Sequence, residues 1–282
     1  MRIVRAVTDF FGIDVGTQLA PLIATDKPPR LVTRRLEVQR TEFDGMAVWT
    51  LLPPSPSGKV VIALHGGAYV VQPTVMHWSD YALMSRQTEA TIVVPIYPLA
   101  PYSTAHEVVP RIADLITAQI ERHAARTVSV YGDSAGGGLA LAASQVLVRR
   151  RSATPARMVL ISPWLDVSMT NPAIQGVDDP ALDCESMQRS GRLWAGDLEP
   201  TDPLVSPVYG TLTGVPPTAV YSGTLDLLNP DVLRLQEIAS RTPGAEFTFV
   251  IRAGEMHDWA MGGLPEARAV RGRIYQQLLD TD

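Results

Sequence analysis

Short apolar runs with strand-like composition are spaced along the whole chain. The first two, Arg35 to Gln39 and Met46 to Leu52, flank the polar turn EFDG and predict an antiparallel hairpin at a sheet edge. The run from Lys59 to Leu64 is continuous and β-branched, which is typical of a strand covered on both faces. The other predicted strands are Thr91 to Pro95, Thr127 to Tyr131, Arg157 to Ile161, Thr218 to Ser222 and Glu246 to Ile251.

Segments with apolar residues at helical spacing stand between most of these strands. They are Val108 to Ile120, the Ala- and Leu-rich stretch from Ala135 to Arg150, Val232 to Ala239 after Pro230, and Ala267 to Leu278. Strands that alternate with helices predict a parallel sheet. We therefore expect an α/β fold in which helices flank a mostly parallel, eight-stranded sheet.

Two segments do not follow this alternation. They are residues 1–33 and residues 168–204, the second of which mixes Pro, Asp and Gly. Open α/β sheets bind ligands outside the carboxyl ends of their strands, and both segments are candidates to cover that edge. We expect them to form a helical cap over a core made of residues 34–167 and 205–282.

Composition and charge exclude several classes of protein. The 282 residues include 24 Lys and Arg against 29 Asp and Glu, a net charge of −5 without the basic excess of a nucleic-acid partner. The single cysteine, Cys184, cannot form an internal disulfide, and no Cys/His cluster has zinc-ligand spacing. Asp9 and Asp14 interrupt any signal-peptide core, and no uncharged apolar run approaches the roughly 18 residues of a spanning helix. We expect a soluble, metal-free, cytoplasmic protein, whose oligomeric state the sequence leaves open, a homodimer included.

One serine stands in a pattern typical of nucleophiles. The residues Gly132-Asp133-Ser134-Ala135-Gly136 match G-x-S-x-G between a predicted buried strand and an apolar helix. A nucleophile elbow requires this strand-turn-helix setting and small residues around the serine. Ser134 is therefore the candidate nucleophile, and the alternative is a Gly-rich turn whose serine caps a helix.

A serine nucleophile needs a histidine base that is oriented by a carboxylate. His257, in the loop GEMHDW, is the only histidine after Ser134, where the chain order of this fold requires the base. Asp226 follows a predicted strand by a short turn and is the better placed acid. Asp231 is the second candidate, although its position after Pro230 favours the first turn of a helix.

Backbone N–H groups near Ser134 are candidates to stabilise a developing oxyanion. Ala135 follows the serine at a predicted helix N-terminus, and Gly66, Gly67 and Ala68 follow the strand that ends at Leu64. Glycines there allow the main chain to approach a substrate carbonyl.

Three further residues are candidates for substrate binding. They are Tyr69 after the glycine loop, Asp133 beside the serine, and Trp164 after a strand end. Trp194 and Trp259 are expected to be packing aromatics instead.

The chain resembles the hormone-sensitive-lipase-like group of α/β-hydrolase esterases. The matching segments, in family order, are HGGAYV, GDSAGGGLALA, ISPWLD, DPLVSPVYG, VPPTAVYSGTLDLL and GEMHDW. The resemblance implies a triad of Ser134, Asp226 and His257, a cap built from the N-terminal segment and an insertion after the sixth strand, and no cofactor. It also implies hydrolysis of small carboxylic esters with short to medium acyl chains.

The chain departs from the family pattern at three places. Ala68 stands where relatives usually have a third glycine, the segment YPLAPY lacks the Arg and Glu of the usual YRLAPE, and Gly138 replaces a common Asn. Two other functions fit the same motifs. One is an amidase such as an aryl formamidase. The other is a catalytically inactive relative that binds a small ligand. Such relatives generally lack the catalytic histidine, which is present here as His257.

Overall fold

A single sheet organises the computed structural model, which describes residues 24–263 and 265–280. The strands are β1 (Glu37–Phe43), β2 (Met46–Leu52), β3 (Val60–Leu64), β4 (Thr91–Ile96), β5 (Val128–Asp133), β6 (Arg157–Ile161), β7 (Thr218–Gly223) and β8 (Phe247–Arg252). Their spatial order is β1-β2-β4-β3-β5-β6-β7-β8. The pairs β1–β2 and β2–β4 are antiparallel and the others are parallel. The predicted eight-stranded, mostly parallel sheet with an edge hairpin is confirmed.

Helices cover the sheet on both faces. Those in the described residues are α1 (Val75–Thr88), α2 (Ala105–His123), α3 (Ser134–Arg150), α4 (Cys184–Ala195), α5 (Asn229–Arg241) and α6 (Pro265–Leu279). The sequence patterns did not predict α1, because polar side chains such as His77, Asp80 and Ser85 lie on its buried side. In this part of the chain, no helix combines the length and the apolar character that crossing a membrane requires.

The alternation of side chains along β3 divides the core into two layers. Val60, Ile62 and Leu64 belong to a buried cluster that includes residues of α2, α3 and α5, whereas Val61 and Ala63 belong to a second cluster with residues of α1 and α6. All five residues are at most 2% exposed, as predicted for a doubly covered strand. Each fully buried Val, Ile or Leu side chain contributes about 1.5–3 kcal/mol, so the central strands form a rigid base for the loops at their ends.

The parallel strands bring the sequence motifs to one edge of the sheet. The glycine loop follows β3, Ser134 follows β5, Trp164 follows β6, Asp226 follows β7 and His257 follows β8. The carboxyl ends of parallel strands meet at the same edge, where this fold class places its ligands.

The segments that interrupt the alternation lie at different places. Within the described part of residues 1–33, the indole of Trp49 donates to Asp26 O at 2.8 Å and that of Trp78 donates to Thr25 O at 2.9 Å, so this part runs beside β2 and α1. Residues 1–23, which belong to the expected cap, lie outside the described residues. The insertion 168–204 contains α4 and packs against the loop after β3, because Trp194 stacks on Tyr69 with ring centroids 3.9 Å apart.

Candidate active site

The candidate nucleophile lies at a sharp turn between β5 and α3. Ser134 has a left-handed backbone conformation, with φ at 49°, and is 5% exposed to solvent. A Cβ atom on Gly132 would lie 2.5 Å from Gly136 O, and one on Gly136 would overlap Leu64 O. Only glycine fits at these two positions, and the strained serine is typical of a nucleophile elbow.

The structure brings the candidate acid and base together. His257 Nδ1 lies 3.0 Å from Asp226 Oδ2, and the other carboxylate oxygen of Asp226 accepts the Leu228 N–H at 2.9 Å. Asp226 is fully buried, so its charge is directed to these partners. Donation from Nδ1 leaves Nε2 as the nitrogen that can accept a proton.

The alternative acid, Asp231, lies in the first turn of α5 and bonds to a different partner. Its carboxylate accepts the side-chain N–H of Asn171 at 2.9 Å. Burial raises the pKa of Asp231 to about 6, despite the hydrogen bond from Asn171. The geometry therefore favours Asp226 over Asp231.

A second carboxylate lies on the Nε2 side of the imidazole. Asp258 Oδ2 is 3.3 Å from His257 Nε2, and the main-chain N–H of Asp258 donates to Ser162 Oγ at 3.0 Å. Burial lowers the pKa of His257, but the charges of Asp258 and Asp226 raise it by more, to about 10. In the described residues no hydrogen bond joins Ser134 Oγ to this ring, a bond that in unliganded enzymes often tightens only when substrate binds.

The predicted oxyanion loop needs one correction. The N–H of Gly66 donates to Asp133 Oδ2 at 2.9 Å, so this group is not available to a substrate oxygen. Gly67 and Ala68 follow with left-handed backbones, at φ 115° and 51°. A Cβ atom on Gly67 would lie 2.5 Å from Val71 O, which restricts that position to glycine. Gly67, Ala68 and Ala135 therefore stay as the candidate oxyanion donors.

The prediction that Asp133 binds substrate is also corrected. Its side chain is fully buried, and Oδ2 accepts both the Gly66 N–H and, at 3.0 Å, His77 Nε2. A carboxylate directed into the protein in this way is not a substrate contact.

The aromatic candidates pack against one another in the interior. Tyr69 stacks between Trp194 at 3.9 Å and Trp164 at 5.5 Å, measured between ring centroids. Tyr69 is 1% exposed and Trp164 is 0% exposed, so neither presents a surface to a ligand in this structure. Trp194 and Trp259 are buried as well, as expected for packing aromatics.

This aromatic cluster explains one departure from the family pattern. A Cβ atom on Gly138 would lie 2.7 Å from the Tyr69 hydroxyl oxygen and would overlap Trp164 O. The Asn found in relatives has no space beside this arrangement of Tyr69 and Trp164.

The sequence analysis missed three polar residues around the site. His77 stands outside every motif, and Asp179 lies in the irregular stretch NPAIQGVDDPALD. Asp258 could have been predicted from the segment GEMHDW, because it directly follows the candidate base His257. Within residues 24–263 and 265–280, no group of three or more His, Cys, Asp or Glu side chains is arranged to hold a metal ion.

Comparison with known proteins identifies the family. A family profile described as alpha/beta hydrolase fold matches residues 61–261, so the chain belongs to that family. It is 44% identical over 252 residues to a triacylglycerol lipase of Mycobacterium tuberculosis, covering 88% of this chain and 53% of that protein. An esterase of Acinetobacter venetianus is 28% identical over 232 residues, which are 79% of this chain and 76% of the relative.

The structural comparison agrees with the motifs. A hormone-sensitive lipase from a metagenome library has a TM-score of 0.81 at 22% identity, covering 95% of each chain. The family, the relatives and this fold together confirm the resemblance to hormone-sensitive-lipase-like esterases of the α/β-hydrolase superfamily. The chain spans about half the length of the mycobacterial relative.

Proposed function

We propose that this protein is a serine carboxylesterase that hydrolyses small carboxylic esters with short to medium acyl chains. The observation that carries the proposal is the buried contact of 3.0 Å between His257 Nδ1 and Asp226 Oδ2, at the sheet edge where Ser134 occupies a strained elbow. The names of the lipase and esterase relatives support the same class of reaction.

In the proposed mechanism, Ser134 Oγ attacks the ester carbonyl carbon while His257 Nε2 takes the hydroxyl proton. The carbonyl oxygen becomes an oxyanion that accepts hydrogen bonds from the N–H groups of Gly67, Ala68 and Ala135. Collapse of this intermediate breaks the ester C–O bond, and His257 returns the proton to the leaving alcohol. Water then attacks the acyl-serine with His257 again as base, which releases the carboxylic acid and restores Ser134.

The insertion 168–204 is proposed to be a cap over this site. Asp179 Oδ2 accepts the N–H of Leu227, next to the acid, at 2.8 Å, and Trp194 covers Tyr69 beside the oxyanion loop. Both contacts hold the insertion close to the strand ends. Because the stacked aromatic cluster is buried beside the oxyanion loop, we infer that it occupies space which a long acyl chain would need, and this favours small esters. The single cysteine supports a reducing, cytoplasmic setting.

The role of Ser134 is tested with Ser134→Ala. We expect the variant to fold and to lose about 10⁶-fold in kcat, because no other group replaces the nucleophile. Turnover of p-nitrophenyl esters of graded chain length, compared with matched anilides, measures the loss and separates an esterase from an amidase. A serine-directed fluorophosphonate should label the wild type and not the variant. Absence of labelling in the wild type would favour an inactive ligand-binding relative, and retained turnover in the variant would refute the nucleophile.

The choice of acid is tested by comparing Asp226→Asn with Asp231→Asn. The first change should cost about 10⁴-fold in kcat, since the imidazole loses the partner that fixes its tautomer. The second change removes a carboxylate bonded to Asn171 and should leave kcat near the wild-type value. Ester turnover at saturating substrate measures both, and the reverse order of effects would transfer the acid role to Asp231.

A further inference from the structure

Three separate parts of the chain meet at one oxygen atom beside the nucleophile. Asp133 Oδ2 accepts the main-chain N–H of Gly66 at 2.9 Å and lies 3.0 Å from His77 Nε2. Asp133 is 0% exposed and His77 is 5% exposed. The junction therefore joins the loop after β3, the first turn of α1 and the elbow residue that precedes Ser134.

The orientation of the His77 ring follows from its other nitrogen. The main-chain N–H of Thr74 donates to His77 Nδ1 at 3.0 Å, and Thr74 Oγ1 lies 2.8 Å from the same atom. Since Nδ1 accepts a hydrogen bond, the ring proton lies on Nε2 and is donated to Asp133. Thr74 is the N-cap of α1 and His77 is its third residue, so the start of the helix fixes the ring.

The loop after β3 needs such an external hold. Gly67, Ala68 and Tyr69 all have left-handed backbones, and the last two carry side chains that disfavour this conformation. Strained residues persist only where their surroundings determine them, and each costs about 1–3 kcal/mol. A Cβ atom on Gly66 would lie 2.9 Å from Ser134 Cβ and would overlap Asp133 Oδ2, so the loop lies directly against the nucleophile.

We propose that His77 is a positioning residue that acts through Asp133 to hold the oxyanion loop against Ser134. The hydrogen bond from His77 Nε2 holds the Asp133 carboxylate in place, and this carboxylate in turn holds the Gly66 N–H. The position of Gly66 then sets the direction of the N–H groups of Gly67 and Ala68. The inference rests on the proposed function, because it assigns those N–H groups to the oxyanion.

Two substitutions of His77 separate the bond to Asp133 from the bond to Thr74. In His77→Gln the amide nitrogen reaches about as far as Nε2 and can still donate to Asp133. In His77→Asn the amide ends near the position of Nδ1, so it can accept from Thr74 but cannot reach Asp133. Thr104→Val is the matched control, since it removes the capping hydroxyl at the start of α2 and leaves both ring nitrogens of His77 with their partners.

We expect His77→Asn to lower kcat by about 10- to 100-fold with little change in KM, because the oxyanion donors are displaced and binding is not. His77→Gln should recover most of the loss, and Thr104→Val should keep kcat while lowering the melting temperature. The affinity of a trifluoromethyl ketone, which forms a tetrahedral adduct with the serine, should fall in His77→Asn by the same factor as kcat/KM. Equal loss in the Asn and Gln variants, or no loss in either, overturns the inference.

Failure of the proposed function gives a different result. If the wild type neither hydrolyses esters nor reacts with a fluorophosphonate, the esterase assignment fails before any His77 variant is compared. If the wild type is active and dependent on Ser134, the His77 series tests the positioning role alone.

Discussion

At the residue scale, the imidazole of His257 lies among three carboxylates. Asp226 faces Nδ1 at 3.0 Å, Asp258 faces Nε2 at 3.3 Å, and Asp179 of the insertion adds a further negative charge nearby. These charges stabilise the imidazolium, which forms each time Ser134 gives up its proton. Together they also raise the pKa of the His257 imidazole to about 10, against the opposing effect of burial.

The first consequence concerns pH dependence. A base must be deprotonated to accept a proton, so kcat/KM should rise with pH through the alkaline range. Asp258→Asn removes one negative charge beside Nε2 and should lower the pKa of His257. We expect the acid limb of the pH profile of kcat/KM to move to lower pH by about one unit or more.

A charge-matched control makes this result specific. Asp44→Asn removes the same charge at the exposed turn between β1 and β2, where Asp44 faces Arg111 at 3.2 Å. The acid limb of the pH profile of kcat/KM should lie at the same pH in this variant as in the wild type. The electrostatic role of Asp258 is refuted if both variants give the same profile. Asp133 and His77 also interact electrostatically with Asp258, and neither residue is substituted in this comparison.

At the scale of elements, a side chain of the insertion forms a hydrogen bond to the acid loop. Asp179 accepts the Leu227 N–H through Oδ2, and through Oδ1 it accepts the N–H groups of Ala181 at 2.7 Å and Leu182 at 3.0 Å. Asp179 is partly buried, and this burial raises the pKa of its carboxyl group. The position of Asp226 therefore depends on a segment about 50 residues earlier in the chain.

Asp179→Ala tests this dependence. The change should lower kcat by about tenfold, because the loop that carries Asp226 loses its tie and the His257 pair becomes less well aligned. Asp183→Ala in the same insertion is the control. It removes the side chain that accepts the Ser186 N–H at the start of α4, which costs about 1 kcal/mol of stability and leaves the acid loop untouched. Steady-state kinetics and thermal melts of both variants measure the difference, and an unchanged kcat in Asp179→Ala would refute the tie.

Elements with a clean periodic pattern could be predicted from the sequence, whereas α1 could not. β3 is apolar at every position because both of its faces are covered, and α2 buries a regular apolar stripe that includes Val108, Ile112 and Leu115. In α1 the buried residues include His77 and Asp80, whose side chains bond to Asp133 and Tyr131 of β5, about 50 residues later in the chain. A polar residue satisfied by a distant partner looks like a surface residue in the sequence.

At the scale of the whole molecule, the motifs locate the site because the sheet order brings strand ends together. Ser134, Asp226 and His257 could each be named from the strand that precedes it, and the contact between the last two agrees with that reasoning. The hydrogen-bond partners of these loops could not be predicted from the sequence in the same way. In the sequence, Asp133 precedes the candidate nucleophile and Gly66 precedes the candidate oxyanion donors. In the structure, the Gly66 N–H donates a hydrogen bond to the Asp133 carboxylate. The positions of Tyr69 and Trp164 predicted contact with substrate, but both side chains are buried in the structure.

The two ends of the sheet differ in how they would meet another molecule. Among the strands in the described part of the chain, β1 pairs only with β2, and its side chains are mostly exposed and include Glu37, Arg40 and Glu42. Charged side chains on an edge strand oppose the addition of a further strand. β8, the strand at the opposite edge, carries mostly half-buried side chains, including Phe247 and Phe249. If two copies extended this sheet, they would therefore pair through their β8 strands, and a β1 strand would form each outer end.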